Sequence, residues 1–490
     1  MIMAQEREFL KAQQQLQVLV DYVRQAGEDG EQIDQVERGV FQGLLALGKT
    51  LLQAHVARQG NGDVGETAEH GERTLRRLPQ PHQRPYLSIF GELQIDRFVY
   101  GTREGQKIEY VPLDERLGLP EGKFSYVLED WVQRFCIKES VEEAGGSLEV
   151  LLGLQLGSRT LEEMNHRMAS FAEAYRDSQP APPPEQEGPI LVFTGDAKGV
   201  PMRRPLQDRV RGRKRRKKGE KANQKRMAYV GAVYTIQPFV RSADDVLDEL
   251  ARRRRAEDRP RPQHKRLWAE MTHVWEGEET NGRVLLFASV AQELERRRRD
   301  DRVPVVCLMD GERALWEMVE QMLIVQAGVP VIGILDLFHV LERLWAVAHC
   351  VHAEGSVEAE AFVTDRLHML LEGKVGYVIG GLRQMLSKGR WSAAARKTIS
   401  AAIGYYANNR AHMRYDEYLA AGYPIGSGVA EGACRHLVKD RMEGTGMRWV
   451  VEGAQAMLHL RGIYLNGDWD EFVSFRIQTE QTRLYGKKAA

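Results

Sequence analysis

Three acidic residues stand at points where an apolar strand or the start of a helix would deliver a carboxylate, and carboxylates so placed suit hard divalent cations. In PILVFTGDAKGVP, residues 189–201, a short run of β-branched and aromatic residues ends at Asp196. VPVVCLMDGER repeats the pattern, with apolar residues from Val303 to Met309 ending at Asp310. The third is Glu431, in IGSGVAEGACRHLVKDRM, where Gly426, Ser427 and Gly428 open a helix and allow close approach of backbone and ligand. A lone Asp after a strand is usually a turn or helix cap. Two cations held close together, by contrast, need bridging and flanking oxygen ligands on rigid supports, and such a pair serves displacement at phosphorus.

The elements around these residues follow from the pattern. After Asp196 the chain turns, GVPMRR forms a second strand, and a basic run from Gln207 to Arg226 leads to a third strand, MAYVGAVYTI. Basic runs are usually solvated loops. This one leaves the sheet that carries Asp196, so Arg211, Arg213, Lys214, Arg215, Arg216, Lys217 and Lys218 are candidates for a nucleic-acid backbone. Arg252–Arg255 and Arg296–Arg299 have acidic neighbours and read as solvated helix faces, within a helical stretch from Lys265 to Arg299 in the second case. The strand to Asp310, a helix from Arg313 to Gln326 and an apolar strand ending at Asp336 complete the order βββαβαβ. Asp at the ends of the first and fourth strands is the arrangement of a ribonuclease-H-like core, with both carboxylates on adjacent parallel strands. The stretch from Asp336 to Glu431 is helical by pattern and reads as an all-helical insertion.

Upstream, residues 1–60 are helical, with Val40, Phe41, Leu44, Leu45, Leu51 and Leu52 at helix spacing. Residues 61–123 hold a polar, Gly-rich linker (Gly60–Glu72) and a small β unit from Arg84 to Leu113. Residues 124–177 return to helix. Ser140–Leu152, a turn at Gly153–Ser158 and a capping box at Thr160 and Glu163 fit a helix-turn-helix that would offer Glu162, Asn165, His166 and Arg167 to a major groove. An ordinary helical hairpin fits equally well. The proline run in 178–188 marks a domain boundary. The core would then span 189–336, the helical insertion 337–424, and the catalytic and C-terminal helices 425–490. The fold class is thus a mixed-sheet α/β core with a large all-α insertion, preceded by a mainly helical DNA-binding region with a small β unit.

Composition narrows the setting. The 490 residues are 43% hydrophobic, enough for more than one core, and 69 basic residues balance 69 acidic ones, so any nucleic-acid contact must be local. Cys136, Cys307, Cys350 and Cys434 form no CxxC pair, which argues against a disulfide framework and a cysteine zinc site. The N-terminus is too polar for a signal peptide and no long apolar run occurs, so a soluble, cytoplasmic protein is expected.

GDAKGVPMR, LMDGER, LDLFHVLERLW, IGSGVAEGACRHLVKDRM and GMRW together resemble bacterial insertion-sequence DDE transposases of the ISKra type, relatives of the Mutator-like group, from about Tyr86 to Phe472. The resemblance implies that Asp196, Asp310 and Glu431 are the catalytic, metal-binding triad, with Mg²⁺ as cofactor and Mn²⁺ able to substitute. It also implies double-stranded DNA as partner (element ends and target), a homodimer or higher assembly bridged by the N-terminal helices, a bacterial, nucleoid-associated setting, and strand cleavage followed by 3′-end joining. Asp336 and His339 match the family's Asp-x-x-His motif. They contact DNA near the scissile phosphate or orient a ligand, or else cap the next helix and fill a polar pocket. Arg448 and Trp449 suit stacking on an unpaired base, or a core tryptophan. Arg435, Lys439 and Arg441 are placed to meet the DNA backbone. Relatives carry paired cysteines near the N-terminus; this chain has none before Cys136. A site-specific nuclease with the same core, or a DNA-binding protein without catalysis, are the alternatives.

Overall fold

In the computed structural model, which describes residues 2–102, 108–203, 225–253, 259–275 and 278–486, the chain forms two compact units. One comprises Met1–Phe171 together with Trp469–Ala490, and the other Ala172–Asp468.

The first unit begins with helices Ile2–Asp29 and Ile33–Arg58. Gly39 sits against Tyr22 and Gly43 against Leu19, so the two run antiparallel, and a Cβ at either glycine would overlap its neighbour. Strands β1 (Thr67–His70), β2 (Arg73–Arg77) and β5 (Tyr100–Gly101) form one small sheet, and β3 (His82–Ser88) with β4 (Gly91–Arg97) a hairpin. The expected linker therefore already contains β1. Helices Tyr126–Lys138, Val141–Leu152 and Ser158–Ala169 follow. The capping box lies at Ser140 and Glu143, where serine accepts the Glu143 N–H and glutamate the Ser140 N–H. Thr160 is inside the third helix, which starts at Ser158 without a side-chain cap. The last helix, Trp469–Tyr485, returns to this unit: Arg476 reaches buried Glu129 and Trp469 Nε1 donates to Asp130 at 2.6 Å. Residues 425–490 are thus divided between the two units.

The second unit is built on a five-stranded mixed sheet of order β12-β11-β6-β7-β8. Its strands are β6 (Ile190–Pro201), β7 (Lys225–Ile236), β8 (Gln263–Met271), β11 (Val305–Met309) and β12 (Val331–Leu335), while β9 (His273–Trp275) and β10 (Glu278–Thr280) form a separate hairpin. β6, β11 and β12 are parallel; β7 and β8 run antiparallel to their neighbours. Two expectations are corrected here. β6 does not turn after Asp196, since Ala197, Lys198 and Gly199 stay paired with Tyr229, Ala228 and Met227. The third strand is instead β8, in the stretch expected to be helical. Five consecutive buried residues, Leu267–Met271, lie in a strand covered on both sides, and such a run has no period to distinguish it from a helix. The helix begins only at Gly282.

Alternation along the strands divides the core. Ile190, Val192, Val306, Leu308 and Ile334 pack with helices of the 337–420 region. Leu191, Phe193, Val305, Cys307 and Met309 face the Gly282–Arg297 helix and the helix beginning at Arg313. At the free edge of β8, Asn466 bonds both backbone groups of Leu267 (2.9 and 3.3 Å), and Gln455 accepts from the Met271 N–H at 2.7 Å. These amides occupy the places a further strand would take.

The proline-rich 178–188 stretch is not a linker between the units. It lies within the second, fastened by the arginines expected to be solvated. Arg296 donates to the Gln179 carbonyl, Arg299 to that of Pro184, and Arg297, 3% exposed, pairs with Glu187 and Glu293.

Candidate active site

Asp196 lies in β6, and Asp310 follows β11 directly. Met309 is in register with Gly195, so Asp196 and Asp310 occupy matched positions on neighbouring parallel strands. Both fall on the face carrying Val192 and Leu308, toward the helical region. Asp310 Oδ1 accepts the Glu312 N–H at 2.9 Å, and the next residue must be small: a Cβ on Gly311 would lie 2.4 Å from the Tyr405 ring.

Glu431 reaches this face through an anchor that the sequence did not reveal. Asp336, fully buried, caps the Leu337–Val351 helix by accepting the Phe338 N–H at 2.9 Å. Its second oxygen accepts the Ser427 hydroxyl and lies 3.1 Å from His339 Nδ1, while the Ser427 N–H approaches Oδ1 at 3.3 Å. The Leu337 N–H donates to the Ile425 carbonyl at 2.9 Å. Gly426 fits because a Cβ there would come within 2.9 Å of Phe338. These bonds fix the residues before the Gly428–Ala433 helix, whose first turn holds Glu431. From Cys434 to Lys439 the helix widens into a π turn, a feature frequent at functional sites.

The electrostatics distinguish this group of side chains. The Glu431 carboxyl is exposed, yet its pKa is raised, first by partial desolvation and then by the negative charges of Asp336, Glu342 and Asp196, with His339 alone opposing. The pKa of His339 is raised to about 9, chiefly by its hydrogen bond to Asp336, with Asp310 and Glu342 adding to the shift. Cys434 is buried beside Asp196, and burial followed by that carboxylate pushes its thiol well up. Tyr405 is pushed up to about 12 by burial and the Asp310 charge. Tyr405 lies outside every motif, and Cys434 and Glu342 lie inside motifs in which nothing singled them out.

Among the described residues no three His, Cys, Asp or Glu side chains converge on a point that would hold an ion. Asp196, Asp310 and Glu431 offer oxygen donors only, the ligand type that hard divalent cations take.

Other expected residues are placed elsewhere. Trp449 pairs alongside Met202 at the end of β6, its N–H bonded to the Pro201 carbonyl at 3.0 Å. Its indole donates to the Met442 carbonyl at 3.1 Å and the Arg441 guanidinium lies 4.9 Å over the ring, which makes it a packing residue. Arg441, 2% exposed, is therefore not on a DNA-facing surface; Arg435, Lys439 and Arg448 are exposed. In the first unit, Asn165 is buried and donates to Gln133 at 2.7 Å, and Arg167 is paired with Glu129. Both turn toward the Tyr126–Lys138 helix, where buried Gln133 and Glu129 need partners, and are corrected as groove-reading residues. Arg211, Arg213, Lys214, Arg215, Arg216, Lys217 and Lys218 lie outside the described residues.

No protein family and no curated protein matches the sequence. Among solved structures the chain is similar to the Drosophila P element transposase strand transfer complex, at 8% identity, over 72% of this chain and 81% of that one, with a TM-score of 0.24. A score that low decides neither fold nor function. No helix among the described residues is long and apolar enough to cross a membrane.

Proposed function

We propose that this chain is a DNA transposase of the ISKra kind with a ribonuclease-H-like core, cutting the ends of a mobile element and joining 3′ ends to target DNA. The observation that carries the reading is the register of Asp196 with Asp310 on adjacent parallel strands, with Glu431 electrostatically coupled to the same acidic group. The strand order β12-β11-β6-β7-β8, with only the β6–β11–β12 part parallel, supports the core assignment.

Asp196, Asp310 and Glu431 would hold Mg²⁺, with Mn²⁺ as substitute. When bound, such ions stabilise the attacking and leaving oxygens of an in-line displacement at phosphorus. Asp196, in a strand paired on both sides, is the most rigid of the three supports, and Asp310 and Glu431 would complete the set of oxygen donors. Water, and later a 3′ hydroxyl, attacks phosphorus directly, so no covalent protein intermediate is required. Asp336 and Ser427 are positioning residues, because their hydrogen bonds set where the Glu431 helix starts. The basic run from Gln207 to Arg226 would supply cations for the DNA backbone. A homodimer or higher assembly would hold two element ends together.

The test is an excision and strand-joining assay with the full-length protein, DNA flanking its own gene, and Mg²⁺ or Mn²⁺. Metal-dependent cutting and 3′-end joining are expected in the wild type and lost in Asp310→Asn, while DNA binding survives. Cutting without joining would identify a nuclease, binding without cutting a non-catalytic DNA-binding protein, and full activity of the variant would refute the triad.

A further inference from the structure

Behind the segment that carries Ser427 lies a cavity of about 450 Å³ whose lining includes none of Asp196, Asp310 and Glu431. Its size is that of a small-molecule site. The walls are flat and apolar on several sides, with Phe239, Phe338 and Tyr423 joined by Pro260, Pro262 and Pro424. The charged groups are three arginines, Arg241, Arg252 and Arg259, and one carboxylate, Glu249. Arg241, 8% exposed, donates to Glu249 at 3.1 Å and stands 5.2 Å over the Phe239 ring, while its buried Nε has no partner among the described residues. Arg259 binds the same Glu249 oxygen at 3.1 Å, so two guanidiniums share one carboxylate, and Arg252 also lines the cavity. The pKa of Arg241 is lowered, first by burial, with Glu249 opposing and the Arg259 charge adding to the lowering. Such a site favours an anion. An unpartnered buried donor is costly to a fold and marks a place where a ligand can complete the bonding.

We propose that this cavity binds a nucleotide, its base between the aromatic and proline walls and its phosphate on the Arg241 and Arg259 side. Flat rings stack on aromatic faces and guanidiniums match phosphate oxygens. The nucleotide has two sources, a free mononucleotide or one turned out of a bound DNA strand. Only the second rests on the proposed DNA reading. The cavity shares Phe338 and Gly426 with the walls of the Asp336 anchor, so an occupied pocket bears on the segment leading to Glu431.

The experiment uses the full-length protein in two arms. In the first, dAMP, dGMP, dCMP and dTMP are titrated calorimetrically without DNA, with inorganic phosphate as control. In the second, 2-aminopurine is placed at successive positions near the end of a duplex from the DNA flanking the gene, and its fluorescence is followed on binding. The expected result is mononucleotide affinity at least about tenfold above phosphate, or a position-specific fluorescence rise competed by mononucleotide. Either signal falls at least about tenfold in Arg241→Gln and in Leu250→Trp, which fills the cavity from its surface side and leaves the Arg241–Glu249 pair in place. Circular dichroism checks that both variants fold. Phosphate binding as tightly as the nucleotides, no signal in either arm, or signals unchanged in a folded variant would each overturn the proposal. A protein that cuts and joins DNA but gives no signal retains the proposed function and loses this site; one that binds mononucleotide but cuts no DNA does the reverse.

Discussion

Carboxylates in two parts of the second unit are treated in opposite ways. Glu270, on β8 and 3% exposed, is surrounded by compensating groups: His459 Nε2 at 3.1 Å, Gln455 Nε2 at 2.7 Å and Arg176 Nη1 at 3.3 Å. Burial acts first to raise its pKa, but His459 and Arg176 outweigh it and the net shift is downward. Glu431 is more exposed, yet its carboxyl is raised, first by partial desolvation and then by the like charges of Asp336, Glu342 and Asp196. A buried charge provided with cations and hydrogen bonds serves the fold. A carboxylate whose pKa is raised among like charges is a candidate for function.

The largest test of this contrast is Asp310→Asn. Activity should fall by more than the roughly 100-fold typical of losing a supporting contact to a metal ligand, while the thermal midpoint stays level or rises because repulsion is relieved. A fall in both would place Asp310 with the fold rather than the chemistry. Glu270→Gln should do the converse: about 3 kcal/mol of stability lost, because Arg176 and His459 are left without their counter-charge, with strand-cutting activity per folded molecule retained. Urea unfolding read against activity separates the two.

Ser427→Ala lies between these extremes. It removes a hydrogen bond to a fully buried carboxylate, which should cost about 1–3 kcal/mol, and it loosens the start of the Glu431 helix, which should lower activity by about 10- to 100-fold. Loss of stability alone would show that the anchor does not position Glu431.

The acid limb of stability provides a smaller test. Because the folded pKa of Glu270 is lowered, its contribution is present above the unfolded value and is lost as pH falls through the folded one. Wild type should therefore lose more stability than Glu270→Gln between about pH 6 and pH 3, seen in urea midpoints. His339 has the opposite sign. Its folded pKa, raised to about 9, means that its pairing with Asp336 contributes fully below the unfolded value and fades as pH rises toward 9. Titration of its ring signals by NMR, compared with Asp336→Asn, should show the upward shift only in the wild type.

Much of the candidate site was legible because strand-end carboxylates leave a local trace. Apolar runs ending at Asp196, Asp310 and Asp336, and the Gly-Ser-Gly before Glu431, are written in consecutive residues. The alternation of the strands then places Asp196 and Asp310 on one face, once the register is known. The strand order was harder to read. β8 was concealed because a strand covered on both faces has no period, and β6 was divided at glycines that its partner strand in fact holds in line.

The sequence by itself determined the elements whose cause is local: the helical region after Asp336, the capping serines, the paired apolar runs. Only the tertiary structure decided which charges are neutralised and which are not. It buried Asn165, Arg297 and Arg441, all read from the sequence as exposed, and it joined Asp336 to Ser427 across 91 positions of chain. Charge neutralisation depends on which side chains meet after the chain folds, and distance along the sequence carries no information about that.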